Sequence, residues 1–351
     1  MIPDQDKMDL ILKAAIAAPS ADNSQPWYFK INEDNLALFI DEKRSGSISD
    51  TRYVLSDLAL GAVIENISIQ ASALGFGTKI TLLPDEKANP LSVAQISFSH
   101  SEKKDFSLAD AIYKRYTERR IKLKGPMPEV LKEKLLLQSR GFPDIKLYWL
   151  DNKQQYHTAL KALQKAESLR FRNQYLHEEL FSSICFQTGL NGICKEGLSP
   201  KFLAVEPPLW PVFKLLRHWP VMRTLNFIGM ANILGFRSAV LPARLSAGIA
   251  VLAVKSNERK TILQAGRALE RIWLQATSDG LCVQPFAAAG VLSLGYIELE
   301  TAYQHQLGEI NTLMKTLDEQ SKGLIFIRMG YYSGSSQLPN GRRRPSTQFR
   351  H

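Results

Sequence analysis

The sequence predicts an α+β protein made of two related halves fused in one chain. Three observations carry that expectation. After a first helix the chain carries a hairpin pattern, "WYFKI" and "LALFI" around the turn "NEDN". Two long helical segments are alike, "LGAVIENISIQASALGF" and "AGRALERIWLQATSDGL". Each has a glycine near its middle, then Glu-Asn or Glu-Arg, an apolar run and a closing glycine. The neighbouring elements also recur in matching order. Two amphipathic helices can match by chance, and it is the shared order that favours an internal duplication.

The first half is expected over residues 1–105. Asp6 can cap a helix through about Ala18, with Met8, Ile11, Leu12, Ala15 and Ile16 as its apolar stripe. Pro19 ends it. After the hairpin, Asp50 or Thr51 starts the first long helix, and Gly75 is placed to cap its end. Strands follow at about 79–83 and 93–97.

The second half is expected over 106–351. "LADAIYKRYTERR" reads as a short helix with a basic end, and "MPEVLKEKLLLQ" as a helix with Pro128 in its first turn. "IKLYWL" is a strand. A helix through "HTALKALQKAESLRF" leads into an irregular region. "GIAVLAV" is a buried strand, and Asn257 can cap the second long helix, which Gly280 ends. "LCVQPF" and "GLIFIRMGYY" are two more strands.

An insertion at about 181–247 is rich in Pro, Gly, Trp and basic residues. Within 197–255 Glu206 is the only acidic residue, against seven Lys or Arg. Pro211 and Pro220 interrupt it, so one long amphipathic helix is not expected. A lid over a site or a packed helical arm is the favoured reading. Peripheral membrane contact through 201–237 is the alternative.

Composition narrows the function. The formal charge of +10 favours anionic ligands. No helix-turn-helix, zinc-finger or RNP pattern is present, so nucleic acid is not expected. The cysteines are Cys185, Cys194 and Cys282, an odd number without CxxC. That argues against a disulfide framework or zinc site and for a reducing, cytoplasmic compartment. The six histidines lack ligand spacing, so no metal is expected. No charge-free apolar run reaches ~18 residues, so no membrane span is expected. Asp4, Asp6 and Asp9 give the N-terminus the wrong charge order for a signal peptide. GxGxxG, GxxxxGK[ST], GxSxG and HExxH are absent.

Three stretches carry chemistry. In "RYTER", Arg115, Thr117 and Arg119 alternate, and two guanidiniums with a hydroxyl can clamp a phosphate. A solvated basic helix end is the plainer reading. In "APSADNSQPW", Ser20 and Asn23 can face a flat heteroaromatic edge or a polyol chain. A helix-stop loop with local side-chain turns is the plainer reading there. The tail "GRRRPSTQFR" is either solvated or reaches back to the same phosphate through Arg342, Arg343 or Arg344.

Together these stretches resemble the nitroreductase family of FMN-dependent oxidoreductases. "APSADNSQPW" is similar to the family's loop before its first strand, and "RYTER" to its R-x-S-x-R motif with Thr for Ser. "AGRALERIWLQATSDGLCVQPF" resembles its central helix and following strand. The resemblance covers most of the chain except the insertion. It implies a nitroreductase-like fold in which each half is a mostly antiparallel sheet flanked by helices. In simple members the arginine motif precedes the loop, and two subunits share each flavin. Here the loop lies in the first half and the arginines in the second. This resembles the internally duplicated subgroup that includes the mycobacterial Acg-like proteins, an intramolecular pseudo-dimer, as a monomer or a homodimer of it.

The resemblance implies FMN contacts from Pro19, Ser20, Asn23 and Gln25 of the loop and from Arg115, Thr117 and Arg119. Further contacts are implied from Gln284, Pro285, Phe286, Ala287 and Ala288, and from the tail arginines Arg342, Arg343 and Arg344. No acid–base residue is required, because the flavin carries the hydride chemistry. NAD(P)H-dependent reduction of nitroaromatics, quinones or similar acceptors follows. The alternative is an FMN-sequestering protein whose insertion occludes the flavin. Asp22 departs from the family's loop, and a carboxylate there must point away or pair with an arginine.

Overall fold

The computed structural model describes residues 2–102, 104–317, 322–334 and 343–350. Helix α1 spans Gln5–Ile16, two residues earlier than Asp6 capping would give. Asp4 is the cap, its carboxylate accepting the Lys7 backbone N–H at 3.0 Å. The hairpin β1 (Trp27–Ile31) and β2 (Leu36–Ile40) pairs antiparallel. Helix α2 spans Val54–Ala73. Asp50 organises its start from a 3-10 turn, accepting backbone N–H groups of Gly46, Leu55 and Ser56. Gly75, at φ +85°, closes its far end in the left-handed region. Strands β3 (Phe76–Leu82) and β4 (Ser92–His100) complete the first sheet and run longer than the sequence suggested.

Helix α3 is short, Ala109–Lys114, and α4 is Glu129–Leu137 with Pro128 as its N-cap rather than inside it. Strand β5 (Ile145–Trp149) leads to α5 (Lys153–Arg172). The region expected to be irregular is largely helical. It contains α6 (Gln174–Ser182), α7 (Trp210–Leu216), α8 (Trp219–Asn226), α9 (Met230–Gly235) and α10 (Leu241–Arg244). The inner faces of α6 to α9 close a separate apolar cluster around Phe171, Phe181, Leu216 and Met222. Prolines in the first turns of α7, α8 and α10 start helices there rather than break them.

Strand β6 (Gly248–Val254) and helix α11 (Arg259–Ser278) follow, with Glu258 rather than Asn257 at the N-cap. After β7 (Cys282–Phe286) come α12 (Ala288–Ser293) and α13 (Thr301–Leu317), where no element was expected. Strand β8 is Lys322–Gly330. Residues 343–350 return to the first sheet: Arg350 bridges Phe29, and Phe349 is buried against Trp27.

The two sheets have the same topology. Their orders are β1-β2-β4-β3 and β5-β6-β8-β7, every neighbouring pair antiparallel. Helices α2 and α11 connect the second and third strands of their sheets, and they cross each other at matched glycines. A Cβ on Gly61 would lie 2.1 Å from the Leu263 carbonyl oxygen, and one on Gly266 would lie 2.1 Å from that of Leu58. Each glycine stands three residues after the carbonyl that the other meets, which is the reciprocity of a two-fold contact. Beside the crossing, Glu65 accepts Arg267 at 2.9 Å and Arg271 at 2.6 Å. Residues 48–73 are apolar and long enough to cross a membrane, but 83% of their most apolar window is buried inside the protein.

One cysteine expectation is corrected. Cys185 and Cys194 form a disulfide. Leu198 exchanges backbone hydrogen bonds with Ser183 and Cys185, folding the loop so that the two cysteine Cα atoms lie 6.6 Å apart. The odd count arises from Cys282, a free cysteine on β7. Cysteine usage therefore gives no ground for a reducing compartment.

Candidate functional site

The "RYTER" stretch is extended, not helical. Helix α3 stops at Lys114, and Arg115 takes φ −63°, ψ 131°. The segment lies beside β7, where Thr117 bridges Val283 in parallel and the Glu118 N–H donates to the Val283 carbonyl at 2.9 Å. Extended backbone alternates sides, so Arg115, Thr117 and Arg119 share one face. Glu118 points the other way, is buried, and is paired with Arg120. Arg328, fully buried, fixes the segment. It donates to the carbonyls of Glu118 at 2.9 Å, Arg120 at 2.6 Å and Ile121 at 2.9 Å, and to Gln284 Oε1 at 2.7 Å. Burial pushes its pKa down to about 10.

The loop after α1 is conformationally costly. Asp22, Asn23 and Gln25 all have φ between 50° and 57°. Asp and Asn tolerate this region, while Gln25 is the costlier case. Ser20 Oγ steadies the turn by accepting the Gln25 N–H at 3.0 Å. Gln25 is buried and joins three segments. Its Nε2 donates to the Lys195 carbonyl at 2.7 Å, and its Oε1 accepts the Arg344 N–H at 3.0 Å. Asn23 Nδ2 lies 3.3 Å from the carbonyls of both Lys195 and Gly197. Burial raises the Asp22 pKa against the pull of the nearby Arg170 and Arg119 charges.

Loop and strand meet at a cavity of about 290 Å³. Lys13, Pro19, Ser20 and Asn23 form one wall; Arg115, Thr117 and Arg119, with Tyr113 and Tyr116, form another. Gly197, Leu198, Ser199 and Phe202 cover it, and Arg343 enters from the C-terminal arm. Two of these arginines also cap α1, whose last carbonyls lack helical partners. Arg115 donates to Ala17 O at 2.7 Å and Arg343 to Ala18 O at 3.3 Å. Arg115 sits 3.2 Å from buried Glu270 and over the Trp273 ring. Burial raises the Glu270 pKa against the nearby arginine. Arg343 is pushed down to about 9 by burial first and by Arg115 next, and burial lowers Arg119 too.

The cavity thus gathers Pro19, Ser20, Asn23, Arg115, Thr117, Arg119 and Arg343. Gln25 lies behind it, and Gln284 is committed to Arg328. Pro285, Phe286, Ala287 and Ala288 lie outside its lining. Arg344 donates to the Gln25 carbonyl at 3.1 Å and stacks over Phe349. Arg342 lies outside the described residues. Sequence reasoning missed Lys13, Tyr113, Tyr116 and the cover at 197–202. Lys13 precedes Ile16 and Ala17 by three and four residues, the helical spacing that puts all three on this wall.

No family model matches the chain. Over 277 residues it is 28% identical to a Mycobacterium tuberculosis protein named "Putative NAD(P)H nitroreductase acg", covering 77% of this chain and 76% of that one. The chain is similar to proteins named as nitroreductases over about three-quarters of its length. The chain is also 24% identical over 322 residues to an uncharacterized protein of the same species. That match covers 91% of this chain but spans only 44% of the relative's length. An FMN-bound nitroreductase from Bacteroides fragilis superposes with a TM-score of 0.38 at 10% identity, covering 68% of this chain and 94% of that one.

Proposed function

We propose that the cavity binds FMN and that the chain is an NAD(P)H-dependent flavin oxidoreductase acting on nitroaromatics, quinones or similar acceptors. The observation that carries this is the meeting of the two motifs in one cavity. The loop comes from the first sheet's unit and the arginine strand from the second's. The donor set suits a flavin mononucleotide. Lys13, Arg115, Arg119 and Arg343 outnumber the nearby carboxylates Glu270 and Asp22, which leaves positive charge for a phosphate. Tyr113, Tyr116 and Phe202 offer flat apolar surface for a ring. When bound, FMN supplies the hydride chemistry. Arg115, Thr117 and Arg119 then hold and orient it, Ser20 and Asn23 meet it from the other unit, and 197–202 exclude water. On this reading units 1–105 and 106–351 form a pseudo-dimer with one site per chain.

A second reading has its own observation. The cavity's cover is tied down, since Asn23 and Gln25 both donate to 195–197 and the Cys185–Cys194 disulfide anchors the same segment. The volume also lies just below the ~300–1,000 Å³ typical of ligand pockets. An occluded, stored flavin with little turnover fits that cover.

Titration of apo-protein with FMN, followed by flavin fluorescence, tests the binding. Arg119→Ala is expected to weaken it roughly ten- to hundredfold, the loss of about 1.5–3 kcal/mol from a charge-assisted hydrogen bond. Unchanged affinity would remove the arginine strand from the site. Anaerobic NADPH or NADH then separates the two readings. Bleaching supports the oxidoreductase. A flavin that resists excess nicotinamide but bleaches with dithionite supports storage.

A further inference from the structure

We propose that the helical arm at 207–233 docks on an anionic lipid surface. This goes beyond the flavin reading and does not depend on it. The arm's inner side is already satisfied: Trp210, Leu216, Met222 and Ala231 are buried. Its outer side is apolar as well. Leu209, Val212 and Leu215 are exposed at three-residue spacing, so they share one helix side. Helix α8 and the helical run from Met230 meet at 98°. At that apex Phe227 is 89% exposed and Ile228 74% exposed, just before Gly229 at φ +83°. Soluble surfaces scatter single apolar residues, whereas a run of them marks a contact surface.

Along the arm itself, at 207–233, the charged side chains have one sign. Lys214, Arg217 and Arg223 are exposed among the apolar residues. Glu206, the only acid within 197–255, is already paired with Arg237. A second copy of the chain would bring the same basic patch against itself in a two-fold contact, and each copy already carries +10. An anionic bilayer matches both features at once. Its acyl boundary accepts Phe227 and Ile228, and its phosphates accept Lys214, Arg217 and Arg223.

Flotation of the full chain with phosphatidylcholine vesicles, with and without phosphatidylserine, tests this. The bound fraction is expected to be about tenfold higher on the phosphatidylserine vesicles and to fall as salt is added. Phe227→Ser with Ile228→Ser, and separately Lys214→Glu with Arg217→Glu and Arg223→Glu, should each cut it about tenfold. These side chains are exposed, so the melting temperature of both variants should match wild type. Three results overturn the proposal: wild type that floats with neither vesicle, binding that ignores both sets of substitutions, or a dimer that the Phe227/Ile228 variant dissolves.

Discussion

Alanine at either crossing glycine should destabilise the whole chain, by nearly the same amount. The added Cβ would sit 2.1 Å from a carbonyl oxygen at both Gly61 and Gly266, while ordinary contact begins at 3.4 Å. The shortfall is 3.4 − 2.1 = 1.3 Å in each case. Both partners are helix backbone, so no side chain can swing aside, and α2 and α11 must separate along their contact. Overpacking in cores costs 1–3 kcal/mol, and this rigid geometry belongs at the top of that range, about 3 kcal/mol. For a chain this size that lowers the melting temperature by about 5 °C. The two substitutions demand the same separation, so the double variant should fall short of the summed losses by at least about 1 kcal/mol. Circular-dichroism melting of the two single variants and the double reads all three quantities. A neutral single alanine, or strict additivity, would refute the reciprocal crossing.

Other outcomes follow from buried groups. His177 is buried, with Nε2 2.9 Å from the Leu216 carbonyl, and burial lowers its pKa. The unfolded chain binds a proton that the folded imidazole refuses, so this contribution is full above pH ~6.5 and is lost as pH falls below it. The added slope is at most about 1.4 kcal/mol per pH unit, and His177→Gln should flatten it in urea titrations between about pH 6.5 and 5. Parallel profiles for the two proteins would contradict this. Opening the Cys185–Cys194 loop, nine residues in separation, by a dithiol or by Cys194→Ser should loosen the cover by about 3 kcal/mol. Stopped-flow mixing should then show faster FMN uptake by apo-protein. An unchanged rate, with reduction verified by thiol titration, would mean the cover does not gate entry.

Local signals in the sequence were strong enough to place most elements. The hairpin at 27–40 follows from alternating apolar residues around "NEDN", and the central glycines of the long helices were visible as a repeat. Their meaning was not, because the Gly61–Leu263 approach spans the two units. The alternation of Arg115, Thr117 and Arg119 was legible, yet their extended backbone depends on Val283, far along the chain. Likewise Asn23 and Gln25 read as a polar loop, while their partners Lys195 and Gly197 lie some 170 residues away. The disulfide was missed because parity assumes that every cysteine pairs. Helix α12 was missed because it is six residues long and apolar, too short to show a period.

If the loop of the first half and the arginine strand of the second share one cofactor, the chain builds one flavin site. The most direct test of this is the molar ratio of FMN to polypeptide, measured by flavin absorbance after release and by quantitative amino-acid analysis. One FMN per chain is expected for the wild type, and a ratio below one for Arg119→Ala as purified. Two FMN per chain, or none after reconstitution with excess flavin, would contradict it.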